Sequence, residues 1–215
     1  MTLRRIISGF ASITLMLAAF GLAGANAQQG NVPMAELLVE GPLGDVWLGD
    51  EDAPVVIVEY ASMTCPHCAT FHTGVYEELI AKYVDTGLVR FTLREFPIDP
   101  PQFPISAAAF MLARCAPGTT GYFAAIDLLF ETQPTWAQVE EPIPPLRLLM
   151  AQVGLNEAAF DACLSDQVIL ESVYANYNRG IDLGVNATPT FFINGERYAG
   201  ALTLEQLDRI IEPLL

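Results

Sequence analysis

The run Val55-Val56-Ile57-Val58 leads within a few residues into Cys65-Pro66-His67-Cys68. A nearly continuous β-branched segment reads as a strand buried on both faces. A strand that feeds a C-x-x-C pair at the start of a helix is the usual mounting of a redox-active dithiol. The fold must therefore set a buried strand end-on to a helix N-terminus, and few arrangements do so.

Disulfide exchange requires a thiolate, and a free cysteine with a pKa near 8.5 is only about 3% ionised at neutral pH. Placing Cys65 at a helix start supplies unpaired backbone N–H groups and the positive end of the helix dipole. Pro66 suits the first helical turn, where a missing N–H costs nothing. His67 beside the sulfur can add positive charge or a hydrogen bond to the thiolate. A pKa of about 4 at Cys65 would favour the reduced form by roughly 4 kcal/mol at pH 7, or about 90 mV for a two-electron couple. Such a disulfide is a stronger oxidant. Cys68 is expected to point inward and serve as the shielded resolving thiol.

Glu59 is a carboxylate inside an otherwise apolar strand, a costly placement unless the group is exposed or used. It can exchange a proton with buried Cys68, or strand alternation can turn it to solvent at a sheet edge. The sequence leaves both readings open. His72, one turn beyond Cys68, reads as a polar helix residue with no assigned role. A C-x-x-C pair can also be half of a zinc site, but no second close cysteine pair exists and the only histidines are His67 and His72. Zinc would have to recruit His72 or a second protomer. A purely structural bridge across so short a loop removes little entropy from the unfolded chain.

Residues 1–27 read as a cleaved signal peptide: Arg4 and Arg5 form a basic start, an apolar core follows, and Ala25-Asn26-Ala27 offers the small-x-small cleavage pattern. The core is too short and too glycine-broken for a membrane span, and no second apolar run near the length of a span follows. Losing the two arginines takes the net charge from −15 to −17, which argues against a nucleic-acid partner. Four cysteines are too few for a disulfide-scaffold protein of this length. In an oxidising compartment Cys115 and Cys163 pair by default, a bridge worth up to about 4 kcal/mol in the chain-entropy model. A second redox couple is the alternative.

Beyond a Gly- and Pro-punctuated leader at 28–45, the pattern predicts an edge strand over 46–48, the buried strand over 55–60, a helix over 65–83 and a strand over 88–93. Residues 105–182 then carry helical patterns alone: 105–114, 121–130, 145–153, a short helix capped by Asn156 that holds Cys163, and a long one from 167 to about 183. Asn194-Gly195 marks a hairpin between 190–194 and 197–201. Thr203 and Gln206 form a capping box for a last helix ending near Ile211. The layout is α/β: a small mixed sheet in two parts, 46–104 and 183–215, interrupted by an all-helical insertion at 105–182.

With the dithiol, the helical block and Thr188-Pro189-Thr190, the chain resembles the DsbA-like branch of the thioredoxin superfamily over about 46–215. The resemblance implies a thioredoxin-like mixed sheet with an all-helical insertion and a cis bond at Pro189 beside the active pair. It also implies that the Thr188 backbone pairs with substrate by strand addition. Glu59 matches the family's acid upstream of the first cysteine, which favours the proton role. Similarity to alpha-proteobacterial members extends to the pair Cys115 and Cys163.

The function so implied is that of a periplasmic, cofactor-free monomer that donates its Cys65–Cys68 disulfide to exported cysteine-containing proteins. A substrate thiolate attacks an exposed Cys65 sulfur, and a membrane partner of the DsbB type re-oxidises the pair. Two alternatives stand beside it. One is an isomerase or reductase of the same fold; those in the periplasm are commonly dimers or trimers with an N-terminal oligomerisation segment, for which residues 28–44 look too short. The other is a thioredoxin-fold metal-binding or chaperone module without turnover.

Overall fold

Strand alternation sorts the sheet's side chains into two cores. A computed structural model describes residues 30–100 and 104–215; the expected signal peptide at 1–27 lies outside them. The strands are β1 (Trp47–Leu48), β2 (Val55–Ala61), β3 (Val89–Glu95), β4 (Thr190–Ile193) and β5 (Glu196–Ala199), in the order β1-β3-β2-β4-β5. Only β2 and β3 run parallel, with Val55 opposite Val89; the other pairs are antiparallel. The apolar run is thus the middle strand, flanked on both sides. Ile57, Ala61, Phe91, Leu93, Phe191 and Ile193 face the larger core, while Val58, Tyr60 and Phe192 face the smaller.

The expected leader is packed, not loose. It contains α1 (Met34–Leu37), whose Leu37 is wholly buried in the smaller core. Asp45 grips Arg94 of β3 with both carboxylate oxygens, at 2.9 and 2.6 Å, and the Arg94 guanidinium also donates to the Tyr60 hydroxyl at 3.0 Å. Val32 and Met34, partly buried, pack against the same core, but Gly and Pro break the spacing, so these apolar contacts leave no pattern in the sequence.

The helix after β2 begins as α2 (Pro66–Phe71), widens into a π turn at His72–Tyr76, tightens at α3 (Glu77–Leu79) and widens again at Ile80–Val84. Sequence periodicity indicates one plain helix over this span; π turns inside helices are frequent at functional sites. The helical block comprises α4 (Ile105–Cys115), α5 (Gly118–Glu131), α6 (Gln133–Trp136), α7 (Ile143–Gln152), α8 (Glu157–Leu164) and α9 (Gln167–Asp182). Sequence patterning gives no helix at α6 and starts α7 late, at Pro145; Pro134 of α6 and both Pro144 and Pro145 of α7 lie in the first turn, where proline fits. Asn156 caps α8 as expected, accepting from the Ala159 N–H at 3.0 Å.

A disulfide joins Cys115, at the end of α4, to Cys163 in α8. At the hairpin, Asn194 and Gly195 both take positive φ, 45° and 89°. The Asn194 side chain accepts from the Val56 N–H at 2.8 Å, stitching the turn to β2. The Thr203–Gln206 box caps α10 (Leu204–Ile211).

Candidate active site

Cys65 occupies the N-cap of α2 with extended backbone, φ −77° and ψ 120°, and Pro66 opens the helix. Its carbonyl accepts the first helical bond from Ala69 at 3.1 Å. Cys65 and Cys68 are both free thiols. Cys68 is wholly buried, and Cys65 keeps only 4% of its surface. The sulfur expected to be exposed is therefore covered. The Thr188–Pro189 bond is cis, and the Thr188 carbonyl lies against Cys65, accepting from Sγ at 3.3 Å. This loop leads into β4, which pairs with β2.

The two thiols are pushed in opposite directions. The Cys65 thiol is pulled down to about 5, chiefly by a hydrogen bond from Cys68, against the opposing effect of burial; the Thr188 side chain and the backbone N–H groups of Cys68 and His67 help. Cys68 is pushed well above the usual thiol range, first by burial, then by the same bond to Cys65 and by the negative charge of Glu59. The His67 side chain is exposed, and His67 acts on Cys65 through its backbone N–H. The help expected from the ring thus comes from the main chain.

The turn that presents Cys65 is pinned from the insertion. Gln133 Nε2, on α6, donates to the carbonyls of Met63 at 2.8 Å and Cys65 at 3.0 Å. Ser106 Oγ accepts from the Met63 N–H at 2.9 Å, and Asp99 accepts from Thr64 Oγ1 and the Ser106 N–H, each at 2.6 Å. Sequence reasoning found none of these, because each bond spans elements whose packing no local pattern encodes.

Glu59 is in phase with Ile57 and Ala61, so it points into the larger core and is fully buried. Its neighbours across the sheet are Leu93 and Phe191. The alternative of a solvent-facing carboxylate at a sheet edge is ruled out, because β2 has no free edge along this stretch. Glu59 Oε2 instead meets Nε2 of His72 at 3.0 Å, and the His72 side chain is 2% exposed. The residue left without a role thus lies inside the site. Among the described residues no group of three or more His, Cys, Asp or Glu side chains could hold a metal ion, and no helix is long and apolar enough to cross a membrane.

A central strand delivering a helix-capping dithiol beside a cis-proline loop defines a protein of thioredoxin fold. A family model described as Thioredoxin matches residues 43–213, and the chain belongs to this family, in its DsbA-like branch. It is 30% identical to the alpha-DsbA1 of Wolbachia pipientis, whose crystal structure superposes with a TM-score of 0.76 over 83% of this chain and 94% of that one. BdbD of Bacillus subtilis, 20% identical with a TM-score of 0.70 over 79% of this chain and 92% of that one, shares the fold. A Rickettsia bellii protein named as a candidate protein-disulfide oxidoreductase is 33% identical over 173 residues, 78% of this chain and 65% of the relative. The chain thus spans less than two thirds of the length of the first curated relatives it matches.

Proposed function

We propose that this protein is a thiol:disulfide oxidase that donates its Cys65–Cys68 disulfide to exported, cysteine-containing proteins as they fold. The observation that carries the reading is the contrast in setting of the two thiols, with Cys65 capping α2 and Cys68 wholly buried. Cys65 is held down, to about 5, and Cys68 is held up. At neutral pH the reduced pair then rests as one stabilised thiolate and one buried thiol, and stabilising the reduced form makes the disulfide a better oxidant.

A substrate thiolate attacks Cys65 Sγ, the bond to Cys68 breaks, and a mixed disulfide forms at Cys65. A second substrate thiolate resolves it, leaving the substrate oxidised and this pair reduced. Thr188 flanks the attacked sulfur, and its backbone pairs with the incoming substrate segment by strand addition. The signal-peptide reading of residues 1–27 puts the monomer in the periplasm, where a membrane partner of the DsbB type re-oxidises it.

The test is the equilibrium potential of Cys65–Cys68 in glutathione buffers. A donor of this kind should lie near about −120 mV, whereas a value at or below about −230 mV would assign the pair to reduction instead. Sedimentation of the mature chain as a stable dimer or trimer, together with rescue of scrambled disulfides, would favour the isomerase.

A further inference from the structure

Glu59 has no route of its own to solvent. It sits on the middle strand, fully buried, between Leu93 and Phe191. Among the described residues the hydrogen-bond partner of its carboxylate is His72, at 3.0 Å, and Glu59 Oε1 has none. Any proton that Glu59 exchanges with Cys68 must therefore be renewed through a neighbour.

His72 is built for that position. Its ring stacks on Phe130 of α5, with centroids 4.2 Å apart and planes at 19°, and lies 4.6 Å from the Tyr76 ring; Phe71 meets it edge-on at 5.5 Å. Three aromatic rings hold the imidazole plane while Nε2 stays on Glu59, and aromatic faces suit a ring that becomes cationic in transit. His72 Nδ1 is buried and has no partner. The same residue lines a half-open cleft of about 670 Å³ that includes none of Cys65, Cys68, Thr188 and Pro189 in its lining. Apart from His72 itself, the charged groups that line the cleft are acidic: Glu77 from the same helix, Asp127 and Glu131 from α5, and Asp85 beyond the second π turn. Asp127, open to solvent at this cleft, is pushed upward by partial desolvation, a shift that the charge of His72 opposes. Burial, then the charges of Asp127 and Glu59, hold the Tyr76 phenol up.

We propose that His72 is the positioning and proton-passing residue that connects Glu59, and through it Cys68, to the acidic cleft bounded by Asp127. The proposal rests on exchange at Cys65–Cys68 and holds in either direction of that exchange. When a thiolate bonds to Cys65 Sγ, the Cys65–Cys68 bond breaks and the Cys68 sulfur departs with the electron pair. It takes a proton from Glu59; His72 returns one to Glu59, and solvent at the cleft returns one to His72. In re-oxidation the Cys68 thiol gives its proton to Glu59 as its sulfur attacks the mixed disulfide at Cys65, releasing the partner's thiolate. The proton leaves by the same route. Protons thereby enter and leave through a cleft that neither the dithiol nor the Thr188–Pro189 loop lines.

The reduced protein treated with dithionitrobenzoate should release thionitrobenzoate in two phases, first from attack by Cys65 and then from attack by Cys68 on the mixed disulfide. Two phases in the wild type establish the exchange reading; their absence would overturn that reading and the relay with it. In His72→Ala the first phase should keep its rate and the second should slow about ten- to a hundredfold. Added imidazole, admitted through the cleft to the space vacated at residue 72, should restore the second phase. Asp127→Asn, an exposed change that leaves the fold in place, should move the pH profile of the second phase by about half a unit toward lower pH, since a carboxylate that favours a nearby cation is lost. The relay is overturned if His72→Ala resolves at the wild-type rate, or if imidazole rescues nothing in a folded His72→Ala. An unmoved profile in Asp127→Asn overturns it as well, and that variant decides the matter if His72→Ala does not fold.

Discussion

The most direct consequence of the site concerns how its redox potential changes with pH. In the reduced protein Cys65 ionises at about 5, against about 8.5 in an unfolded chain. A thiol whose folded value is depressed contributes stability above the unfolded value and loses it as pH falls through the folded one. The oxidised protein has no such group, so the whole contribution falls on the balance between the two redox states. At pH 7 the thiolate favours the reduced form by about 2.7 kcal/mol, equivalent to roughly 60 mV for a two-electron couple. Above about pH 8.5 the gain levels off near 4.8 kcal/mol, or roughly 100 mV.

Between those limits reduction takes up two electrons but a single proton, because Cys68 stays protonated. The potential should therefore fall by about 30 mV per pH unit from pH 5 to 8, steepening to about 59 mV per unit below pH 5, where both sulfurs take up protons. Equilibration with glutathione or dithiothreitol at a series of pH values measures the slope, and thiolate ultraviolet absorbance locates the bend independently. Cys68→Ala removes the first of the donors to Cys65 and should move that absorbance step upward. A slope near 59 mV per unit through pH 7, with thiolate appearing only near pH 8.5, would refute the view that Cys65 is held as an anion.

Three further outcomes follow from the packing. Arg94→Leu leaves Asp45 buried without its partner and should cost about 3–5 kcal/mol in urea melts; a loss under about 1 kcal/mol would mean the segment before β1 does not hold the sheet. Gln133→Ala leaves the carbonyls of Met63 and Cys65 without that donor, which should cost about 1–3 kcal/mol and slow exchange at Cys65, read together by melting and by thiol kinetics. Replacing Cys115 and Cys163 together by Ala opens a closed loop of sequence separation 48. It should cost up to about 4 kcal/mol while leaving exchange at Cys65–Cys68 intact; a lost second phase of thionitrobenzoate release would mean the bridge takes part in the chemistry.

Much of the fold was legible because its signals are local. The β-branched run marks β2, Asn194-Gly195 marks the hairpin, and Thr203 with Gln206 marks the start of α10. Each depends on residues a few positions apart. The leader's contribution was not legible, since Leu37 and Asp45 act through contacts with Tyr60, Phe192 and Arg94 that no spacing announces. Proline misled at α6, where Pro134 interrupts the pattern yet sits in the first turn of the helix.

The site divides along the same line. Cys65, Cys68 and Pro189 are visible as motifs, and Glu59 stands out as a lone charge in an apolar strand. Yet alternation gives a strand residue its phase and not its surroundings, so whether Glu59 faces solvent or the interior depends on β2 being the middle strand. For His72 a signal did exist. Residues four apart on a helix share a face, so a histidine one turn beyond an inward-pointing Cys68 must approach the same interior as Glu59. What the spacing could not supply is the cover: Phe130 arrives from α5 in the insertion and closes the ring into the core. A polar side chain at such a spacing is surface or relay according to what the inserted domain lays over it. The insertion therefore helps build the chemistry of the dithiol as well as shape the surface around it.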